Sequence, residues 1–388
     1  MANSLDIAIF QPELSVGGTE RVILKIAEKF NPVIYTLGYA KGGALPDFKQ
    51  FDVRILRGSA LEAPVAAFAG LDFDERMRIA ASAGVRFLKM KIREDYDVLN
   101  PHLMPSEWIA ARNERVCWYC HSPCRPAYGW SDSFAAERGA VGRAVMGTAV
   151  AAYRLVESMV LPKIETICTN SEFSKANIRK YLGRGDSIVA YPSVNLEEFR
   201  CASYGLYFFC PSRIVPEKRL EQAIWAFSRF GKKNWKLVIG GHILPSRRNL
   251  EYLGRLKRLS AGLNVEFRSN LGKKELSGLY SGCFATLFCA KNEDLGIVPL
   301  ESMASSKPCI SVNEGGPRET IADGKTGFLV NSAQEMAEKM KFLSEHPDIC
   351  ERMGKAGRKR VLQNYTWKIF LDKMEKAFKE TAKGRGSS

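Results

Sequence analysis

Apolar runs of five to seven residues alternate with amphipathic stretches along the whole chain. DIAIFQP, PVIYTLG, YDVLNP, RVCWYCH and ETICTNS read as strands in the first half. LYFFCPS, KLVIGG, NVEFRSN, FATLFCA and PCISVNE do so in the second. The spacing between them predicts helices over 19–30, 220–230, 274–281 and 334–345. Short strands spaced by helices imply parallel sheets covered on both faces. The series occurs twice, so the expected fold class is α/β with two doubly wound, Rossmann-like domains. Ligands are then expected at the carboxyl ends of the strands. The break between domains falls near Tyr191-Pro-Ser-Val-Asn195, where a strand ends in a proline-containing turn.

A length of 388 residues agrees with two domains, and an apolar fraction of 46% with 26% charged residues is that of a folded protein. The start, MANSLDIAIFQPEL, lacks the basic and apolar regions of an export signal. The uncharged run from Ala144 to Tyr153 is too short to span a bilayer. Ten cysteines without an export signal fit a reducing compartment, so a cytoplasmic location is expected. The net charge is +15. Residues 1–190 carry 24 Lys and Arg against 21 Asp and Glu, and the remainder carries 33 against 21. The excess in the second half suits an anionic partner or a well-solvated surface, and charge alone leaves both open.

Three stretches have phosphate-binding character. In IAIFQPELSVGGTERVILKIAEKF a strand runs into Gly17-Gly18-Thr19 and a helix follows. Glycines there allow close backbone approach, although the segment lacks a dinucleotide fingerprint and also fits a plain tight turn. In FFCPSRIVPEKRLEQAIWAF, Arg213 and Lys218 follow a strand around a proline turn. They suit a pyrophosphate, or equally a solvated basic loop. In FCAKNEDLGIVPLESMASSKPCISVNEGGPRETIADGKTGFLV, Glu293 and Glu301 stand eight apart. Gly296, Ile297 and Val298 open a helix between them whose N–H groups can receive an anion. Two carboxylates facing one cleft suit a polyhydroxy ligand, since each accepts hydroxyl donors. First-turn acids favoured by the helix dipole would explain Glu293 and Asp294, but not the run GGPRETIADGKTGFLV that follows.

VCWYCHSPCRP contains Cys117-x-x-Cys120-His121, which matches the c-type haem attachment pattern, with Cys124 beyond it. Strand alternation sends Cys117 and Cys120 to opposite faces, which opposes joint chelation. Haem attachment also normally requires export. Asp72-Phe-Asp74 is a D-x-D pair, but it precedes a helical stretch from Glu75, so capping explains it better than metal binding.

Together these segments resemble family 4 retaining glycosyltransferases of the GT-B fold, from Ile7 to about Phe370. The most specific part is Glu293-x7-Glu301 within EDLGIVPLESMA, followed by GGPRETI and GKTGFLV. TNSEFSKANIRKYLG, AYPSVNLEEF and PSRIVPEKRLEQAI resemble that family's joining and phosphate-binding segments. The resemblance implies an acceptor-binding domain over 1–194 and a nucleotide-sugar-binding domain over 195–365, facing each other across a cleft. A helix and tail over 366–388 would cross back to the first domain. Gly17 and Gly18 would border the donor diphosphate and the acceptor. Arg213 and Lys218 would hold the diphosphate and stabilise the leaving group. Glu293 would meet the sugar hydroxyls and Glu301 the ribose, with Gly296, Ile297 and Val298 adding backbone N–H groups. His121, in His121-Ser122-Pro123 before Arg125, would sit at the cleft near the transferred sugar and act through hydrogen bonds.

The resemblance further implies sugar transfer with retention, domain closure over the donor, and no cofactor or bound metal. The pattern is most similar to mannosyltransferases that use GDP-mannose, including those that extend lipid-linked oligosaccharides. UDP-sugar donors (glucose, galactose, N-acetylglucosamine) form the alternative. A sugar-nucleotide epimerase, a phosphorylase, a non-catalytic member and a nucleic-acid-binding module are less suited to these motifs, and no nucleic acid partner is expected. RMRIAASAGVRFLKMKIR, residues 76–93, has six basic residues and no acid. As one helix it would place Arg78, Arg86, Lys89 and Arg93 within about 80°. It reads either as an interfacial helix on an anionic membrane surface or as a buried helix with a basic edge.

Overall fold

The structure is a computed structural model that describes residues 5–40, 44–56, 75–128, 140–243 and 246–384, without the side chains of 75–81, 140–142 and 145. Asp72-Phe-Asp74 lies outside the described residues. The chain forms two compact units, residues 1–191 with 368–388, and residues 192–367.

In unit 1, β1 (Ile7–Gln11) pairs with β2 (Val33–Thr36) and β4 (Val98–Pro101), and β3 (Val53–Ile55) forms the edge beside β2. A second sheet runs β5 (Cys117–Cys120), β6 (Thr166–Thr169), β7 (Ile188–Val189). A single parallel bridge, Leu99 to Val116, links β4 to the strand entering β5. Every pairing is parallel. Among the described residues its longer helices before the last are α1 (Gly18–Phe30), α2 (Glu75–Lys89), α3 (Ala140–Val160) and α4 (Glu172–Leu182). The five residues of β1 are all buried, the mark of a central strand covered on both faces.

Unit 2 is a six-stranded parallel sheet in the order β10-β9-β8-β11-β12-β13. These strands are β8 (Tyr207–Pro211), β9 (Lys236–Gly241), β10 (Val265–Ser269), β11 (Ala285–Phe288), β12 (Cys309–Val312) and β13 (Gly327–Val330). The strand order reverses between β8 and β11, so the loops after these two strands flank the crevice where such sheets bind ligands. Its longer helices are α5 (Leu220–Phe230), α6 (Arg247–Leu259), α7 (Lys273–Gly282), α8 (Ile297–Ala304), α9 (Ala333–Glu345) and α10 (Pro347–Asn364), and a single helical turn spans Pro317–Thr320. Phe208, Leu237, Ile239, Leu287, Ile310 and Val330 centre one apolar core. Ser246 caps α6 and Ser332 caps α9, each through its side-chain oxygen.

The last helix, α11 (Trp367–Ala382), packs on unit 1. Phe370 and Phe378 are wholly buried, against Tyr119 and Phe30 respectively. Burying two such rings stabilises by roughly 2–3 kcal/mol each. The Thr381 hydroxyl donates to Thr166 Oγ1 at 2.7 Å, and Lys29 pairs with Glu375 at 2.6 Å.

Three strands carry no clear sequence signal: β3, β7 and β13. The first two are three and two residues long, and β13 lies inside the GKTGFLV run. One expectation is corrected. The helix from residue 75 ends at Lys89, so Arg93 lies beyond it and the four basic residues do not share one helical edge. In its described part Ala83 and Phe87 are buried, with Phe87 edge-on to Phe10, while Lys89 is exposed. In residues 82–89 one face of the helix therefore lies in the core and Lys89 lies outside it.

Candidate active site

In unit 2, β8 ends in Ser212-Arg213 and a turn over Pro216–Lys218 leads into α5. Arg213 is exposed. Lys218 is largely buried, and its Nζ lies 2.5 Å from Glu293 Oε2. The following residue, Arg219, adopts a left-handed backbone with φ of 48° and caps α5. Its Nε donates to the Cys289 carbonyl at 2.9 Å, and its Nη1 donates to Glu314 Oε1 at 2.9 Å. Two consecutive cations therefore tie the loop after β8 to the loops after β11 and β12. The sequence motif marks Lys218 and leaves Arg219 unmarked. Its signal was a second cation in PEKR, in the loop at the carboxyl end of a strand.

The loop after β11 carries Glu293 and ends at Gly296, whose φ of 78° starts α8. Gly296 is buried, and Ile297 and Val298 are partly exposed. The first N–H groups of an eight-residue helix have no intrahelical acceptor, so the loop and helix together offer donors to an anion. Glu301, one turn on, is 5% exposed and accepts a hydrogen bond from the Tyr280 hydroxyl at 2.6 Å. Glu293 and Glu301 thus have different partners and environments. Tyr280, on α7, is a site neighbour that no motif marked. Burial and the adjoining Glu301 push its hydroxyl well above the usual phenol range.

The pair Gly315-Gly316 has a steric reason. Gly315 has φ of 65°, and a Cβ on it would lie 2.3 Å from the Glu293 carbonyl oxygen. A Cβ on Gly316 would lie 2.4 Å from the Asp294 carbonyl oxygen, and the Gly316 N–H donates to the Glu293 carbonyl at 2.8 Å. The GGPRET segment is the backing against which the Glu293 loop is laid.

In unit 1, Gly17 precedes α1 in an extended conformation. Glu20, buried in the first turn, accepts from the Ser15 backbone N–H at 3.2 Å and the Ser15 hydroxyl at 2.7 Å. Among the described residues, a Cβ on Gly18 would meet nothing within 4 Å.

His121 follows β5, partly exposed, with its Nε2 3.2 Å from Nδ1 of the buried His102. His102 Nε2 lies 2.9 Å from Asn100 Oδ1, and Asn100 Nδ2 donates to the Cys117 carbonyl at 2.6 Å. Tyr119 packs edge-on to His121 with centroids 4.8 Å apart. The His121 carbonyl accepts from Asn170 Nδ2 at 3.0 Å. Desolvation lowers the His121 imidazole to about 3 and drives His102 well below the usual histidine range, so both rings are neutral near pH 7. His102, like His121, stands just past the carboxyl end of a strand, and that placement was its available sequence signal.

Cys117 and Cys120 are both buried, and Cys117 Sγ lies 3.9 Å from Cys168 Sγ on β6. His121 turns to His102 rather than to these thiols. Among the described residues, no three His, Cys, Asp or Glu side chains are grouped so as to hold a metal ion. Nor is any helix there long and apolar enough to cross a membrane.

Comparison with known proteins gives these features a setting. The family "Glycosyl transferases group 1" matches residues 202–360. The human alpha-1,3/1,6-mannosyltransferase ALG2 is 26% identical over 409 residues, covering 95% of this chain and 94% of that protein. The Dictyostelium discoideum alpha-1,3/1,6-mannosyltransferase ALG2 is 24% identical, covering 97% and 98%. Among solved structures, Anabaena HepE in complex with UDP and glucose superposes with a TM-score of 0.73 at 16% identity, covering 97% of this chain and 99% of that one. The Thermosynechococcus elongatus sucrose-phosphate synthase gives 0.75 at 18% identity, covering 97% and 98%. These structural likenesses establish the GT-B fold.

Proposed function

With residues 202–360 identified as a group 1 glycosyltransferase domain in a GT-B chain, we propose that this enzyme transfers mannose, with retention, from GDP-mannose to a hydroxyl of a lipid-linked glycan. The relatives that match it over nearly their whole length carry the name alpha-1,3/1,6-mannosyltransferase. The observation that carries the reading is the Lys218–Glu293 pair beside the start of α8, backed by Gly315-Gly316.

In this reading Arg213 and Lys218 bind the diphosphate and stabilise the charge that develops as it leaves. N–H groups of Gly296, Ile297 and Val298 receive phosphate or sugar oxygens. Glu293 accepts from hexose hydroxyls, and Glu301, oriented by Tyr280, accepts from the ribose. Gly18, with open space where a Cβ would stand, lets ligand approach the backbone beside Gly17. The bond from the anomeric carbon to the diphosphate oxygen breaks, and the acceptor oxygen bonds to that carbon on the same face. The acceptor proton passes to the departing diphosphate oxygen. The chemistry calls for no cofactor and no bound metal. The enzyme works on the cytoplasmic face of a membrane, held at its periphery.

A donor screen tests the proposal. The purified chain is mixed with GDP-mannose, UDP-glucose, UDP-galactose or UDP-N-acetylglucosamine, then followed by thermal shift and nucleotide release. Stabilisation by GDP-mannose and GDP alone is expected. A response confined to one UDP-sugar replaces the donor. Transfer at the wild-type rate by both Glu293→Ala and Arg213→Ala would remove the proposed site.

A further inference from the structure

The hydrogen-bond chain behind His121 fixes where its protons sit. A carbonyl oxygen only accepts, so the Asn100 atom 2.6 Å from the Cys117 carbonyl is the amide nitrogen. Asn100 Oδ1 therefore faces His102 Nε2 at 2.9 Å. Being an acceptor, it requires that nitrogen to carry a proton. His102 is wholly enclosed, and a second proton would bury a charge that no carboxylate faces among its hydrogen-bond partners. Its Nδ1 is thus a lone pair. This lone pair lies 3.2 Å from His121 Nε2, so that nitrogen must in turn donate. His121, neutral, is left with a lone pair at Nδ1, and that atom has no hydrogen-bond partner among the described residues.

We infer that Asn100 and His102 are positioning residues that lock His121 with its proton on Nε2, so that Nδ1 accepts a hydrogen bond from a sugar hydroxyl and cannot engage a phosphate oxygen. The role in transfer rests on the proposed glycosyltransferase reading; the tautomer does not. The surroundings supply the rigidity such a lock requires. Trp118 Nε1 donates to the His102 carbonyl at 3.2 Å, the Tyr119 hydroxyl donates to the Ala190 carbonyl at 2.8 Å, and Asn170 holds the His121 carbonyl. Ring rotation of His121 would break its hydrogen bond to His102 and disturb its edge-on packing with Tyr119.

Two measurements test this. In the full chain labelled with 15N-histidine, long-range proton–nitrogen correlation reads each ring's tautomer whether or not the protein is active. Both His102 and His121 should show a protonated Nε2 and an unprotonated Nδ1. A protonated Nδ1 on either ring overturns the lock. The second measurement is kinetic. His102→Leu removes the acceptor facing His121 and should lower kcat by about 10- to 100-fold with the donor KM little changed. His102→Gln returns an acceptor oxygen and should recover most of that loss. Equal activity in the two variants, or a His102→Leu enzyme within about twofold of wild type, rejects the positioning role. A wild-type chain that transfers no sugar would sink the functional reading while the nitrogen spectra still decide the tautomer.

Discussion

Gly17-Gly18 and Gly315-Gly316 are the same two letters, each following a strand and preceding a helix. In the structure they do opposite things. The second pair is pressed against the loop that carries Glu293, with carbonyl oxygens where both Cβ atoms would go and a left-handed backbone at Gly315. The first pair has room. Among the described residues, the end of the Glu20 side chain approaches Gly17 and nothing approaches Gly18. One pair is a packing necessity within the protein, and the other leaves backbone open to something from outside. A glycine pair by itself does not say which, because the absence of a side chain serves close approach of any kind.

Substitution breaks the comparison most sharply. Gly315→Ala should destabilise unit 2 by about 3 kcal/mol or more, since it adds a clash to a disfavoured φ. A urea melt of the full chain should show it, together with loss of the donor-induced thermal shift. Next in size is Lys218→Ala, which leaves that backbone packing intact. It should lower kcat/KM for transfer by roughly 100-fold while the melting temperature changes little. Steady-state kinetics with varied donor checks it.

A second contrast separates two carboxylates as the glycines are separated. Glu293 has its lysine, whereas Glu107 is buried near Glu157 with one oxygen unpartnered, and burial pushes it up to about 8. A carboxyl raised on folding stabilises fully below its unfolded pKa of about 4.3, and that contribution is lost as pH rises toward 8. Stability should therefore fall by up to about 1.4 kcal/mol per pH unit across this window from Glu107 alone. Glu107→Gln should flatten the slope in melts taken between pH 5 and 8. The smallest change is expected at Gly18→Ala. It should stabilise by about 0.5–1 kcal/mol, because alanine suits a helix better than glycine. Any accompanying rise in KM would report a ligand against that backbone.

Much of the architecture was legible before the structure. The ten strands read from the pattern are all present, and α5 spans 220–230 as its spacing implied. Long buried strands and amphipathic helices announce themselves because burial imposes a period on neighbouring residues. The edge strand Val53–Ile55 did not, since three half-exposed residues carry no period. The helix end at Lys89 was also misread, as basic character runs on to Arg93 after the helical backbone has stopped.

The site divides in the same way. Lys218, Glu293 and Glu301 stand out in the sequence because each lies in a short segment that resembles a family motif. What they touch does not. Lys218 meets Glu293 across 75 residues, Tyr280 reaches Glu301 from another helix, and Arg219 reaches Glu314 across 95 residues. His102 reads as an ordinary residue until β4 and β5 are laid next to each other and bring it to His121. The sequence by itself determined which segments become strands and helices and which loops carry chemistry, because those properties depend on near neighbours. The tertiary structure alone decided the partners, the burial and so the protonation of those groups. These depend on strand order and on the exclusion of water, neither of which local periodicity encodes.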